Sequence, residues 1–106
     1  MKPFAEQWIA ALRSGNFKQM IGGLNKDGKF CALGVACHLM ATELKVTEGT
    51  SGYTLYDGCN AFLPHKVTKA LGLKCPGNIM HMNDGLGLSF EEIANRLSEK
   101  PDDYFH

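Results

Sequence analysis

The sequence predicts an α+β fold, and three local patterns carry that prediction. Phe4, Trp8 and Leu12 recur at four-residue spacing, the stripe of a helix with one buried face. Ser89 and Glu92 form the capping-box pattern around Phe90, Ile93, Ala94 and Leu97, a second apolar stripe. Between them, Asn25-Lys26-Asp27-Gly28 and Asp57-Gly58 are tight-turn signals that interrupt any helical period. The sum is one compact domain over residues 1–106, with about four helices and one or two short β-hairpins.

Taken in order, Pro3 suits the first turn of the first helix, and Ser14-Gly15-Asn16 ends it. Ile21–Leu24 and Lys29–Cys31 flank the Asn25–Gly28 turn and are expected to pair. From Ala32 to Leu44 the positions Leu33, Ala36, Met40 and Leu44 make one helical stripe, widened by Val35 and Leu39. A helix apolar on most sides is a central one, so this segment is predicted to be buried. Gly34 within it implies a close neighbouring backbone. Thr47–Gly52 reads as a polar loop, Tyr53–Tyr56 as a strand, and Cys59–Phe62 as its return strand after Asp57-Gly58. Leu63-Pro64 opens a short helix that Gly72 stops, and Lys74–Asn78 reads as a loop. Ser89 caps the last helix, Leu88 staples it to Ile93, and Lys100-Pro101 ends it.

Composition narrows the functions. Lys plus Arg equals Asp plus Glu at 11 each, with only two arginines, Arg13 and Arg96. A net charge of zero disfavours a nucleic-acid partner, which attracts through phosphate neutralisation. No apolar run approaches the roughly 20 residues that span a bilayer, so no membrane partner is expected. MKPFAEQW has neither the apolar region nor the cleavage site of a signal peptide, and the expected location is the cytoplasm. Thiols there stay reduced, so the four cysteines are not expected to form a disulfide framework.

Cys31 and Cys37 are six positions apart, about 600° of rotation and roughly 9 Å of rise on a helix, too far to share one metal ion. Cys59 and Cys75 lack zinc-site spacing, so no metal or cofactor is expected. Cys31 is the one candidate nucleophile, because the N-terminus of a helix starting at Ala32 lowers a thiol pKa. His81 is then the candidate base, Asn83 or Asp84 its orienting group, and Gln19 an oxyanion donor. The competing reading, and the favoured one, makes Cys31 a small core residue beside Phe30 and Leu33. Asn83-Asp84-Gly85-Leu86-Gly87 reads first as a turn and second as a contact for a partner or a nucleotide-like small ligand. Tyr53, Tyr56, Tyr104 and Phe105 are the remaining candidate binding residues. They form either an exposed aromatic surface or, for the last two, a segment folded back on the domain.

WIAALRSGNFKQ (8–19), FCALGVACHL (30–39), LPHKVTKALGL (63–73) and MNDGLGLSFEEIA (82–94) occur in this order along the chain. Their pattern resembles a family of small uncharacterised proteins of tailed phages, prophages and bacteria. Trp8, Gln19, Cys31, Cys37, Asn83 and Asp84 carry over by position, whereas Ala32 stands where the family often has a second cysteine. The resemblance implies a phage-type accessory protein that binds a host or phage macromolecule, such as one used in host take-over or against a defence system. A protein partner in the host cell is the expectation. A cysteine-dependent hydrolase or transferase and a small-ligand binder are the alternatives.

Overall fold

The apolar stripe of the first helix decides where the other elements go. In the computed structural model, which describes residues 1–106, α1 (Pro3–Arg13) buries Ala5, Trp8, Ile9 and Leu12. Against that face pack α2 (Ala32–Leu39), α3 (His65–Leu71) and, most extensively, α5 (Phe90–Glu99). The shorter α4 (Pro76–Met80) packs on α2 and runs directly into a π-helical turn, His81–Gly85. One cluster of 25 buried residues forms the core, and the architecture is α+β, with five α-helices and two small sheets.

The central helix is as buried as its composition predicts, with every residue from Ala32 to Cys37 inside. Gly34 has the expected reason: a Cβ there would fall 1.6 Å from the Leu24 carbonyl oxygen. Trp8 Nε1 donates to the Ala32 carbonyl at 2.8 Å, tying α1 to the start of α2. The helix is shorter than its apolar pattern, however. It closes at Leu39, Met40 leaves helical geometry at φ −116°, and Ala41–Glu43 is a separate 3₁₀ turn. Met40 and Leu44 are still buried, so the chain keeps the stripe's contacts without keeping the helix.

The sheets differ from expectation in pairing. The first hairpin joins β2 (Asn25–Lys26) to β3 (Lys29–Phe30) around Asp27-Gly28, whose φ values of 52° and 79° suit a two-residue hairpin turn. β3 therefore falls within the expected Lys29–Cys31, whereas its partner is not Ile21–Leu24 but Asn25–Lys26, the first half of the expected turn. β1 (Lys18–Gln19) adds to β3 in parallel. The second sheet pairs β5 (Thr54–Tyr56) with β4 (Val46–Glu48), which lies in the region expected to be a polar loop. Cys59–Phe62 returns only as far as a single bridge between Tyr56 and Cys59. Residues 74–78 are likewise a correction: Pro76 is the first residue of α4 rather than part of a loop.

The ends of the chain close the core. Ser89 and Glu92 make the full capping box, at 3.1 Å in each direction. Pro101–Asp103 turns the chain back, and Phe105 bridges Leu73 and sets its ring edge-on to Trp8, centroids 6.4 Å apart. Of the two readings of that segment, the structure shows the folded-back one. No helix of the protein is long and apolar enough to cross a membrane.

Candidate functional site

Four of the residues singled out as chemistry-bearing meet at one point. β1 delivers Gln19, the start of α2 delivers Cys31 and the Ala32 amide, and the π-helical turn delivers Asn83 and Asp84. Asn83 is 1% exposed and uses its whole amide. Its Oδ1 accepts from Gln19 Nε2 at 2.8 Å and from the Ala32 N–H at 3.1 Å. Its Nδ2 donates to the Met20 carbonyl at 2.9 Å and to Asp84 Oδ1 at 2.7 Å. Gln19 Nε2 also donates to the Leu88 carbonyl at 2.7 Å. These bonds tie together β1, the start of α2 and the π-helical turn.

Two of the N–H groups that open α2 find acceptors here. Asn83 takes the Ala32 amide, and the Cys31 sulfur takes the Gly34 amide at 3.4 Å. Cys31 thus occupies the helix mouth as expected, but two influences on its pKa oppose each other. Burial raises it, and hydrogen bonds from the Gly34 and Leu33 amides lower it. Burial is the larger, the nearby Asp84 charge adds to it, and the thiol is pushed up from near 9 to about 11. At neutral pH about one molecule in 10⁴ carries the thiolate, the form that attacks. Cys37 is pushed up further, first by burial.

His81 does not join this group. None of the hydrogen bonds at the Asn83 node involves it, and its ring lies over Gly85, where a Cβ would come within 2.5 Å of Nδ1. His81 is exposed while Met82 and Asn83 are buried, so the turn presents the imidazole outward and the amide inward. There it lines a cleft of about 320 Å³ with Asn78, Leu86, Arg96, Asp103 and Tyr104. Arg96 and Asn78 escape sequence reasoning because neither belongs to a motif; only the scarcity of arginine marks Arg96.

Among the aromatic candidates, Tyr56 and Phe105 are core residues. Burial raises the Tyr56 pKa, and its hydroxyl accepts from Asn25 Nδ2 at 3.0 Å. Tyr53 and Tyr104 are half-buried. The prominently exposed apolar side chains are others: Phe62 at 73% and Ile21 at 62%. No group of three or more His, Cys, Asp or Glu side chains is placed to hold a metal ion.

Neither the curated proteins nor the solved structures hold a match to this chain. Residues 1–77, which carry α1 to α3 and both sheets, match the model of a domain of unknown function, and the chain belongs to that family, DUF8296.

Proposed function

We infer that this is a phage-type accessory protein that works by binding a host or phage protein, through a face that carries Ile21 and Phe62. The observation behind this reading is the exposure of those two side chains on loops that are braced together. The Leu24 N–H donates to the Asn60 carbonyl at 2.8 Å, and the Tyr53 ring packs so closely on Gly23 that a Cβ there would lie 2.7 Å from it. Apolar side chains held out into water on a fixed frame favour a protein contact, because covering them releases water at little further cost in chain entropy.

Charge along the stretch of chain that contains Phe62 describes the partner. No Asp or Glu lies between Asp57 and Asp84, whereas Lys66, Lys69 and Lys74 do. Lys66 and Lys74 donate their Nζ protons to the backbone carbonyls of Glu43 and Asp102, so those bonds leave the positive charge unopposed. An acidic surface with an apolar recess is complementary to such a face. The raised thiol pKa and the outward turn of His81 weigh against the cysteine-enzyme reading. Host take-over or action against a defence system, in the host cytoplasm, is the role the phage-family resemblance supports.

Capture from host lysate with wild type and with the Ile21→Ser/Phe62→Ser double variant tests this reading. A saturable partner is expected, held about tenfold less tightly by the variant at an unchanged melting temperature, and released by salt. Equal recovery by the two proteins would sink the idea.

A further inference from the structure

We propose that the cleft between the π-helical turn and the C-terminal turn binds a small molecule that carries one oxyanion and one N–H donor on a flat or apolar body. This site is separate from the Ile21–Phe62 face. Its polar groups come from separate stretches of chain: Asn78 from α4, His81 from the π-helical turn, Arg96 from α5 and Asp103 from the turn after it. Met82, Leu86 and Tyr104 supply the apolar walls. A volume of about 320 Å³ is at the small end of ligand sites.

The two arginines show what is unusual here. Arg13 spends its guanidinium on Asn95 Oδ1 and Ser98 Oγ, at 3.1 and 3.2 Å. The Arg96 guanidinium makes no hydrogen bond to the protein, although the Asp103 carboxylate lines the same cleft. Cation and carboxylate therefore stand in one recess without satisfying each other. A guanidinium presents paired N–H groups matched to a carboxylate or phosphate, and a carboxylate accepts from an amine, amide or ring N–H. A ligand with both groups satisfies both walls, and its body lies against Tyr104 and Leu86.

The site is also held in advance. Asn83 fixes the inner side of the turn with four hydrogen bonds, which fixes the outer side that bears His81. Gly85 leaves the space that the imidazole occupies. A π-helical turn forgoes the regular α-helical bonding pattern, and such turns recur where a side chain has to be aimed. Positioned groups lose less entropy on binding, which is what a small ligand needs to be held at all.

The chemistry is shared by a purine mononucleotide and an aromatic amino acid, so both serve as probes. Guanosine monophosphate, guanosine, L-phenylalanine and inorganic phosphate are each titrated into the ¹⁵N-labelled protein and followed by amide shifts. Saturable shifts at His81–Gly87 and Tyr104 are expected with guanosine monophosphate or with L-phenylalanine, and which of them binds identifies the source. Arg96→Gln and Asp103→Asn should each weaken that binding about tenfold, while Arg13→Gln leaves it unchanged. Both altered side chains are exposed, so the variants' spectra report directly that they are folded. No saturation by either two-group probe would overturn the proposal. So would inorganic phosphate binding as tightly as they do, or undiminished binding by the Arg96 variant.

Discussion

Asn83 shows how much one side chain can be asked to do. A buried amide with two acceptor sites and two donors is stabilising only when all are matched, and here they are. Asn83→Ala leaves the Ala32 N–H and the Met20 carbonyl without partners, and an equilibrium urea titration should show a loss of about 3–5 kcal/mol. Asn83→Asp keeps the shape but sets a carboxylate against the Met20 carbonyl and Asp84, so its loss should be at least as large. A stable Asp variant would mean that the two donor bonds count for little. The sequence marks this residue only as part of a turn-like run, because nothing local distinguishes an Asn that bonds its own backbone from one that bonds residues 51 to 64 positions away. Cys31 is better marked: its apolar neighbours point to the core, and the structure places it there at 5% exposure. In native protein, exposed Cys75 should react with iodoacetamide well before Cys31 and Cys37, which should label only on unfolding. Early labelling of Cys31 would restore it as a candidate nucleophile.

Among the elements, α5 and α2 set the range of what can be read in advance. The start of α5 is decided by residues within three positions of one another, so its box is visible in the sequence and present in the structure. Ser89→Ala should cost about 1 kcal/mol in thermal or chemical denaturation. The end of α2 is decided by tertiary contacts, since Met40 and Leu44 reach the core from a 3₁₀ turn as well as from a helix. Strand β4 is illegible for a different reason. All three of its residues are exposed, so it lacks the alternation that identifies a strand with one buried face. Gly34 is the α2 position least able to change. Gly34→Ala drives a methyl group into the Leu24 backbone, and a loss of about 3 kcal/mol or more is expected, against the gain an alanine gives in an open helix.

At the scale of the whole molecule, the buried thiols make stability depend on alkali. The Cys31 thiol titrates near 9 when unfolded and near 11 when folded. Between those values the unfolded chain has released a proton that the folded chain keeps, so rising pH favours unfolding. The contribution is complete below about pH 9 and is lost toward pH 11, an effect of about 3 kcal/mol from Cys31. Urea midpoints measured across that window should fall, and fall less steeply in Cys31→Ala. A flat profile would show that the thiol is not desolvated. The global architecture is legible because the longest apolar stripes belong to α1 and α5, which pack on each other. The cleft is not, because its residues are spread over 27 positions and share no pattern.

The bridge between Leu73 and Phe105 sets an order of events. Trp8 lies in the first helix, yet the ring set against it belongs to residue 105, and α5 covers the same helix. During synthesis the first helix therefore emerges long before its cover does. The nascent chain carries an open apolar face until residues 90–105 have left the ribosome, so the core closes only after they emerge.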